Sequence, residues 1–171
     1  MDKGWTVFSE DECGINLQTE MTHVWVKKGS KPRCPTCTHG GKLKIFGALS
    51  NKTGKVITTI CKKINQYEFI RFLKKILKYY KKIFLLADNA IWHKSKLVKQ
   101  FIRENKHRLK IEYFPPYSPE YNPIEQCWKA VKRDSLTSRL FLSPDGMGTE
   151  VKNYFDKKRF SSLNLERFLS P

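Results

Sequence analysis

Hydrophobic and polar positions succeed one another along this chain with periods that change from two to between three and four. The run Trp5-Thr6-Val7-Phe8-Ser9-Glu10 is short and β-prone, and the acids Glu10, Asp11 and Glu12 predict its end. A second apolar stretch around Val24, Trp25 and Val26 leads into a loop over 29–42, rich in Gly, Pro, Lys and Thr. Residues 43–50 and 55–61 are β-branched and aromatic. They flank Asn51-Lys52-Thr53-Gly54, which predicts a hairpin with Gly54 in the left-handed turn position. From Asn65 to Lys81 the apolar residues Phe69, Ile70, Leu73, Ile76, Leu77 and Tyr80 recur at helical spacing, with lysines between them. Ile83-Phe84-Leu85-Leu86-Ala87 is a continuous apolar run, the pattern of a strand covered on both faces, and Asp88-Asn89 stops it. A helix over 95–106 and a strand over 109–114 follow, ended by Pro115-Pro116. Asn122 is suited to cap a helix with Pro123 at its first position, Glu125 in its first turn, and Ile124, Trp128 and Val131 on its apolar face. Ser143-Pro144-Asp145 opens a weaker helical pattern through Val151, Tyr154 and Phe155.

The order strand, two hairpin strands, helix, strand, helix, strand, helix implies an α/β fold, a mixed sheet with helices on its faces. Such sheets place functional groups at strand ends.

Composition narrows the class of partner. The 171 residues hold 33 Lys and Arg against 16 Asp and Glu, a formal net charge of +17. An excess of this size favours a polyanion, whose phosphates are neutralised with release of counterions. No apolar run approaches the roughly 20 residues of a membrane helix, and the start lacks a signal-peptide pattern. The five cysteines form no disulfide framework, so a reducing, cytoplasmic setting is expected.

Against this basic background three acids stand at significant places: Asp11 at a first-strand end, Asp88 at the end of the buried strand, and Glu125 in a helix's first turn. Converging carboxylates repel one another unless a cation lies between them, which makes a magnesium or manganese site the natural resolution. Two such ions about 3.5–4 Å apart support phosphodiester cleavage. Each acid also has a local explanation. Asp88-Asn89 suits an Asx turn, Glu125 could close a capping box with Asn122, and Glu10-Asp11-Glu12 could be a solvated acidic turn.

Several segments together resemble DDE transposases of the mariner superfamily, insertion-sequence branch. They are Phe8-Ser9-Glu10-Asp11-Glu12, Trp25 with Lys28-Gly29, Leu85-Leu86-Ala87-Asp88-Asn89-Ala90 with His93, and the run from Tyr113 through Pro115-Pro116-Tyr117-Ser118-Pro119 to Asn122-Pro123-Ile124-Glu125 with Trp128. The resemblance spans roughly residues 4–135 and implies a ribonuclease H-like fold. Residues 1–136 would be the catalytic domain and 137–171 its C-terminal helical extension. It implies Asp11, Asp88 and Glu125 as the catalytic metal ligands, with 36 residues between the last two. Strand alternation pairs Asp11 with Trp5 and Val7, and Glu12 with Thr6 and Phe8, and does not choose between them. The resemblance chooses Asp11, the first acid of its Asp-Glu pair, with Glu10 and Glu12 as substitutes.

The implied reaction is metal-dependent nicking at the ends of a mobile element, then attack of the freed 3′ hydroxyl on target DNA. Glu12, Asn89, His93 and Asn122 would lie beside the metals or contact phosphate. Trp25, Trp92 and Tyr117 could stack on bases, and Lys28, the rest of its loop and the lysines of the 65–81 helix could track phosphates. Family members carry an N-terminal helix-turn-helix region, and this chain starts at the first catalytic strand. The expected partners are therefore DNA, a separately encoded helix-turn-helix module and a second copy of the chain, close to the nucleoid. Cys34 and Cys37 with His39 make half a zinc site, short of four ligands because Cys13 and Cys61 are isolated. Cys13 and Cys127 are expected to pack in the core. Two alternatives remain open, a catalytically inactive DNA-binding remnant and a ribonuclease H-like nuclease acting on RNA in hybrids.

Overall fold

Residues Thr6–Asn16 form a single strand, β1, buried at Phe8, Ser9 and Glu10 and again, in alternation, at Cys13 and Ile15 beyond the acids. In the computed structural model, which describes residues 4–17, 25–31, 33, 41–116 and 118–161, β1 thus runs well past Glu10, where the residue pattern predicts its end. The carboxylates of residues 10–12 lie within the strand. What carries β1 onward is its antiparallel partner β2 (Lys42–Ser50), paired from Phe8↔Ser50 to Asn16↔Lys42, together with the buried anchors Cys13 and Ile15 beyond the acids.

The hairpin forms as expected. Gly54, at φ +64°, closes the turn into β3 (Val56–Cys61), and its N–H donates to the Ser50 carbonyl at 2.8 Å. Helix α1 (Gln66–Tyr79) starts where the Asn65 side chain accepts from the backbone N–H groups of Tyr67 and Glu68. Its stripe Phe69, Phe72, Leu73, Ile76 and Leu77 is buried, and the lysines between face outward. The remaining strands and helices are β4 (Ile83–Ala87), α2 (Lys96–Glu104), β5 (Leu109–Tyr113), α3 (Ile124–Val131) and α4 (Pro144–Lys157). A 3₁₀ turn at Ile91–Lys94 joins β4 to α2, and Ser143 caps α4.

The sheet order is β3-β2-β1-β4-β5, with β1 parallel to β4, β4 parallel to β5, and the other pairs antiparallel. Two cores sandwich it. Phe8, Phe46, Ile83 and Leu85 meet α1 and Val98 of α2 on one face; Cys13, Ile15, Ile45 and Leu49 meet α3 and α4 on the other. β4 is covered more fully on one face than expected for a doubly buried strand: Ile83, Leu85 and Ala87 are buried, while Phe84 and Leu86 are half-buried because α3 and α4 pack over β1, β2 and β3.

Close approach of helix to sheet depends on two glycines. A Cβ on Gly47 of β2 would stand 2.5 Å from the Trp128 ring, and one on Gly148 of α4 would stand 2.7 Å from Ile60 Cδ1. Cys13 and Cys127 are buried as expected. Cys34, Cys37, His39 and Tyr117 lie outside the described residues.

Candidate active site

Parallel pairing of β1 with β4 runs from Thr6↔Ile83 to Ser9↔Leu86. Two residues further along each strand are Asp11 and Asp88, which the register brings level as β4 ends and β1 continues. Asp11 belongs to the face of Cys13 and Ile15, against α3; Glu10 and Glu12 belong to the face of Phe8, against α1. The length of β1 therefore separates the three neighbouring acids into two sets.

On the α3 face, Asp11 Oδ2 accepts from Trp128 Nε1 at 3.1 Å. Burial, then the charge of Glu12, pushes the Asp11 carboxyl up to about 7, against the hydrogen bonds from the Glu12 backbone and Trp128. Asp88 does form the Asx turn, its Oδ1 accepting from Ala90 N–H at 2.9 Å, and the same oxygen lies 3.0 Å from His93 Nδ1. The His93 contact holds the Asp88 carboxyl below its ordinary range, against partial burial, with help from Ala90 N–H. Glu125 stands in the first turn of α3, half-buried. Asp11, Asp88 and Glu125 all line one open groove of about 460 Å³, whose floor includes Asn89, Phe114, Pro115, Pro116 and Asn122. Single carboxylate oxygens of Asp11, Glu12 and Asp88 lie within 4.8 Å of one another.

Asn122 does not cap α3. Pro123 occupies the cap position, and the Asn122 side chain crosses to the sheet, donating to the Glu10 carbonyl at 2.9 Å. This bond ties the chain just before α3 to β1, on the same groove that Glu125 lines. Asn89 lines the groove beside Asp88, with its Nδ2 donating to the Phe114 carbonyl at 2.7 Å and its Oδ1 accepting from Lys94. Trp25 and Lys28 are exposed and are not among the residues lining the groove.

Behind the groove, His93 is fully buried rather than an ordinary helix-start residue. Burial alone would lower its pKa. The bonds to Asp88 and Glu12 and the charges of Glu10 and Glu12 push it up to about 10. Trp92, expected to stack on bases, is half-buried with Nε1 donating to Glu12 Oε1 at 2.7 Å. Glu10 is entirely buried, and desolvation raises its pKa well above the usual carboxylate range. For the Trp128–Asp11 contact on the other face the sequence carried two signals, a glycine inside a strand at 47 and a tryptophan four residues after Ile124, but neither names its partner.

The chain is similar in sequence and in fold to known proteins. The Insertion element IS630 39 kDa protein of Shigella sonnei is 34% identical over 134 residues, covering 77% of this chain and 38% of that protein. The transposable element Tcb1 transposase of Caenorhabditis briggsae is 26% identical over 136 residues, covering 72% and 49%. The chain thus spans less than half the length of these two relatives. Among solved structures, the Mos1 strand transfer complex superposes with a TM-score of 0.72 at 16% identity, over 95% of this chain and 52% of that one. The catalytic domain of Mos1 mariner transposase superposes at 0.63 with 15% identity, over 94% and 76%. The architecture is ribonuclease H-like. Residues 6–147 match the family model described as DDE superfamily endonuclease, and the chain belongs to that family.

Proposed function

We propose that the chain is the catalytic part of a DNA transposase of the insertion-element kind, which nicks element ends by hydrolysis and joins the freed 3′ hydroxyls to target DNA. The observation that carries this reading is the convergence of Asp11, Asp88 and Glu125, from two strand ends and a helix start, on one open groove. Its relatives support it: Mos1 paired-end complexes have been solved with Mg and with Mn.

The residues fit a divalent cation. All three donors are carboxylate oxygens, suited to magnesium or manganese, and the Asp11 carboxyl, raised by burial and then by the Glu12 charge, is one whose charged form a cation would favour. Asp11, Asp88 and Glu125 would hold two such ions, which when bound activate water and stabilise the leaving oxygen of a phosphodiester. The chain's own part is orientation. Trp128 fixes one oxygen of Asp11, the Ala90 N–H and His93 fix Asp88, and the Asn122 bond to β1 positions the start of α3. No covalent enzyme intermediate is required, since alignment and charge stabilisation suffice. Reading of the element's terminal repeats falls to a helix-turn-helix module, and pairing of two ends to a second copy of the chain.

The test is nicking of supercoiled plasmid with Mn²⁺ by the wild type and by Asp11→Asn, Asp88→Asn and Glu125→Gln, each checked for folding by circular dichroism. Nicking by the wild type and background levels in all three variants are expected. Full nicking by the folded variants would refute the assignment, no nicking by the wild type would favour an inactive remnant, and cleavage confined to RNA–DNA hybrids would make the chain a ribonuclease.

A further inference from the structure

On the α1 face of β1, behind the groove, a second set of donors is left unused by the endonuclease reading. Glu10 is fully buried, and neither of its carboxylate oxygens has a hydrogen-bond partner among the described residues. Orphaned buried carboxylates are expensive unless a cation compensates them. Facing Glu10 is the fully buried His93, whose Nε2 lies 3.1 Å from Glu12 Oε1 and 3.6 Å from Glu10 Oε2. A proton on Nε2 serves Glu12 but leaves Glu10 beyond hydrogen-bond range.

A metal ion would serve both. Bonds of about 2.0–2.2 Å at tetrahedral angles put donor atoms about 3.3–3.5 Å apart, a spacing that the two observed distances bracket. One atom each from Glu10, Glu12 and His93 lies within 4.8 Å of the others. The supports of a metal site are also present. With Nδ1 donating to Asp88 Oδ1 at 3.0 Å, Nε2 can present its lone pair, the arrangement in which carboxylates orient metal-bound histidines. Trp92 Nε1 steadies Glu12, and the Phe69 ring packs 4.2 Å from the imidazole, centroid to centroid.

We propose that Glu10, Glu12 and His93 bind a first-row divalent ion such as Zn²⁺, a structural site that ties β1 to the 3₁₀ turn Ile91–Lys94 from behind the groove. One imidazole nitrogen with two carboxylate oxygens, one each from Glu10 and Glu12, suits Zn²⁺ better than the all-oxygen preference of Mg²⁺. The site backs onto the groove, meeting it at Glu12, whose carboxylate also lies within 4.8 Å of Asp11 and Asp88, and at Asp88, which orients His93; its structural tie would form whether or not the chain cuts DNA.

Co²⁺ is the probe, because nitrogen and oxygen ligation gives visible d–d bands and thiolate ligation adds near-ultraviolet charge transfer. It is titrated into the metal-free full chain carrying Asp11→Asn and Glu125→Gln, to disable the groove, and Cys34→Ser and Cys37→Ser, to remove the paired thiols. One bound equivalent with d–d absorption is expected, lost on adding either Glu10→Gln or His93→Gln with circular dichroism unchanged. A hyperfine-shifted histidine ring proton in Co²⁺-loaded wild type, absent from His93→Gln, gives the same answer without the groove variants. No binding by the folded background protein, or binding unaffected by both substitutions, would overturn the proposal. So would a Glu10→Gln variant that is more stable than wild type in chelator while the wild type retains no metal after purification, since a proton then holds the cluster.

Discussion

The Asp11 carboxylate stands between opposing influences: burial and the Glu12 and Asp88 charges push its pKa up to about 7, while hydrogen bonds from the Glu12 backbone and Trp128 favour its charged form. Between its ordinary 3.8 and about 7, the folded metal-free chain binds more protons here than the unfolded chain does, so stability falls as pH rises through that window. His93 acts in the same sense at higher pH. Its contribution is whole below 6.5 and is lost as pH rises through about 10. Asp88 runs the other way, with a lowered pKa whose contribution is present above 3.8 and lost in acid. Urea unfolding in chelator separates Asp11 from the rest. Between about pH 4.5 and pH 7.5, wild type should lose about 2–4 kcal/mol more stability than Asp11→Asn. Equal losses would mean that Asp11 titrates as an ordinary carboxylate and that the groove is less crowded than its geometry implies.

Helix α3 reaches Asp11 because β2 has no side chain at Gly47, the residue paired with Asp11 across the ladder. Gly47→Ala would press a methyl into the Trp128 ring. It should cost about 1–3 kcal/mol and weaken Mn²⁺ binding at the groove, measured by thermal unfolding and calorimetric titration. Gly146→Ala in the first turn of α4 is the matched control. Its nearest neighbour would be Ser143 Oγ at 3.5 Å, and a neutral or slightly stabilising effect is expected. If both substitutions behave alike, the close packing of Trp128 is not what orders Asp11. At this scale the sequence was legible where one local signal sufficed. The limits of β4, the 51–54 turn and the Ser143 start of α4 all follow from local residue chemistry. It was not legible where a partner strand or a distant side chain decided. β1 outruns its own β-prone stretch because β2 pairs with it throughout, and Asn122 abandons its cap for the Glu10 carbonyl 112 positions away. The candidate triad was readable from spacing and resemblance, whereas the division of residues 10–12 between two faces required the true length of β1.

The whole molecule carries +17 charges, yet the groove that holds its three candidate ligands is lined by carboxylates. A polyanion approaching this protein meets attraction nearly everywhere else, including a cavity of about 570 Å³ along β3 lined by Lys55, Lys75 and Lys152. Lys75 there is pulled below its ordinary pKa by partial burial and then by the nearby Lys152, against the charge of Asp156, which lines the same cavity. Without metal, phosphates should bind to the basic surface and be repelled from the groove. Removing the groove's charges with Asp11→Asn, Asp88→Asn and Glu125→Gln together should therefore tighten DNA binding in chelator, by several-fold at low salt, read by fluorescence anisotropy with a labelled duplex. Mg²⁺ tests the same charge balance from the other side. Beyond the general weakening that any added divalent salt causes, it should restore wild-type affinity towards that of the triple variant while leaving the variant without such a gain, because only the wild type has ligands to hold it. If charge removal changes nothing and Mg²⁺ weakens both proteins alike, DNA is held on the basic edge alone, and the carboxylate groove does not lie on its path.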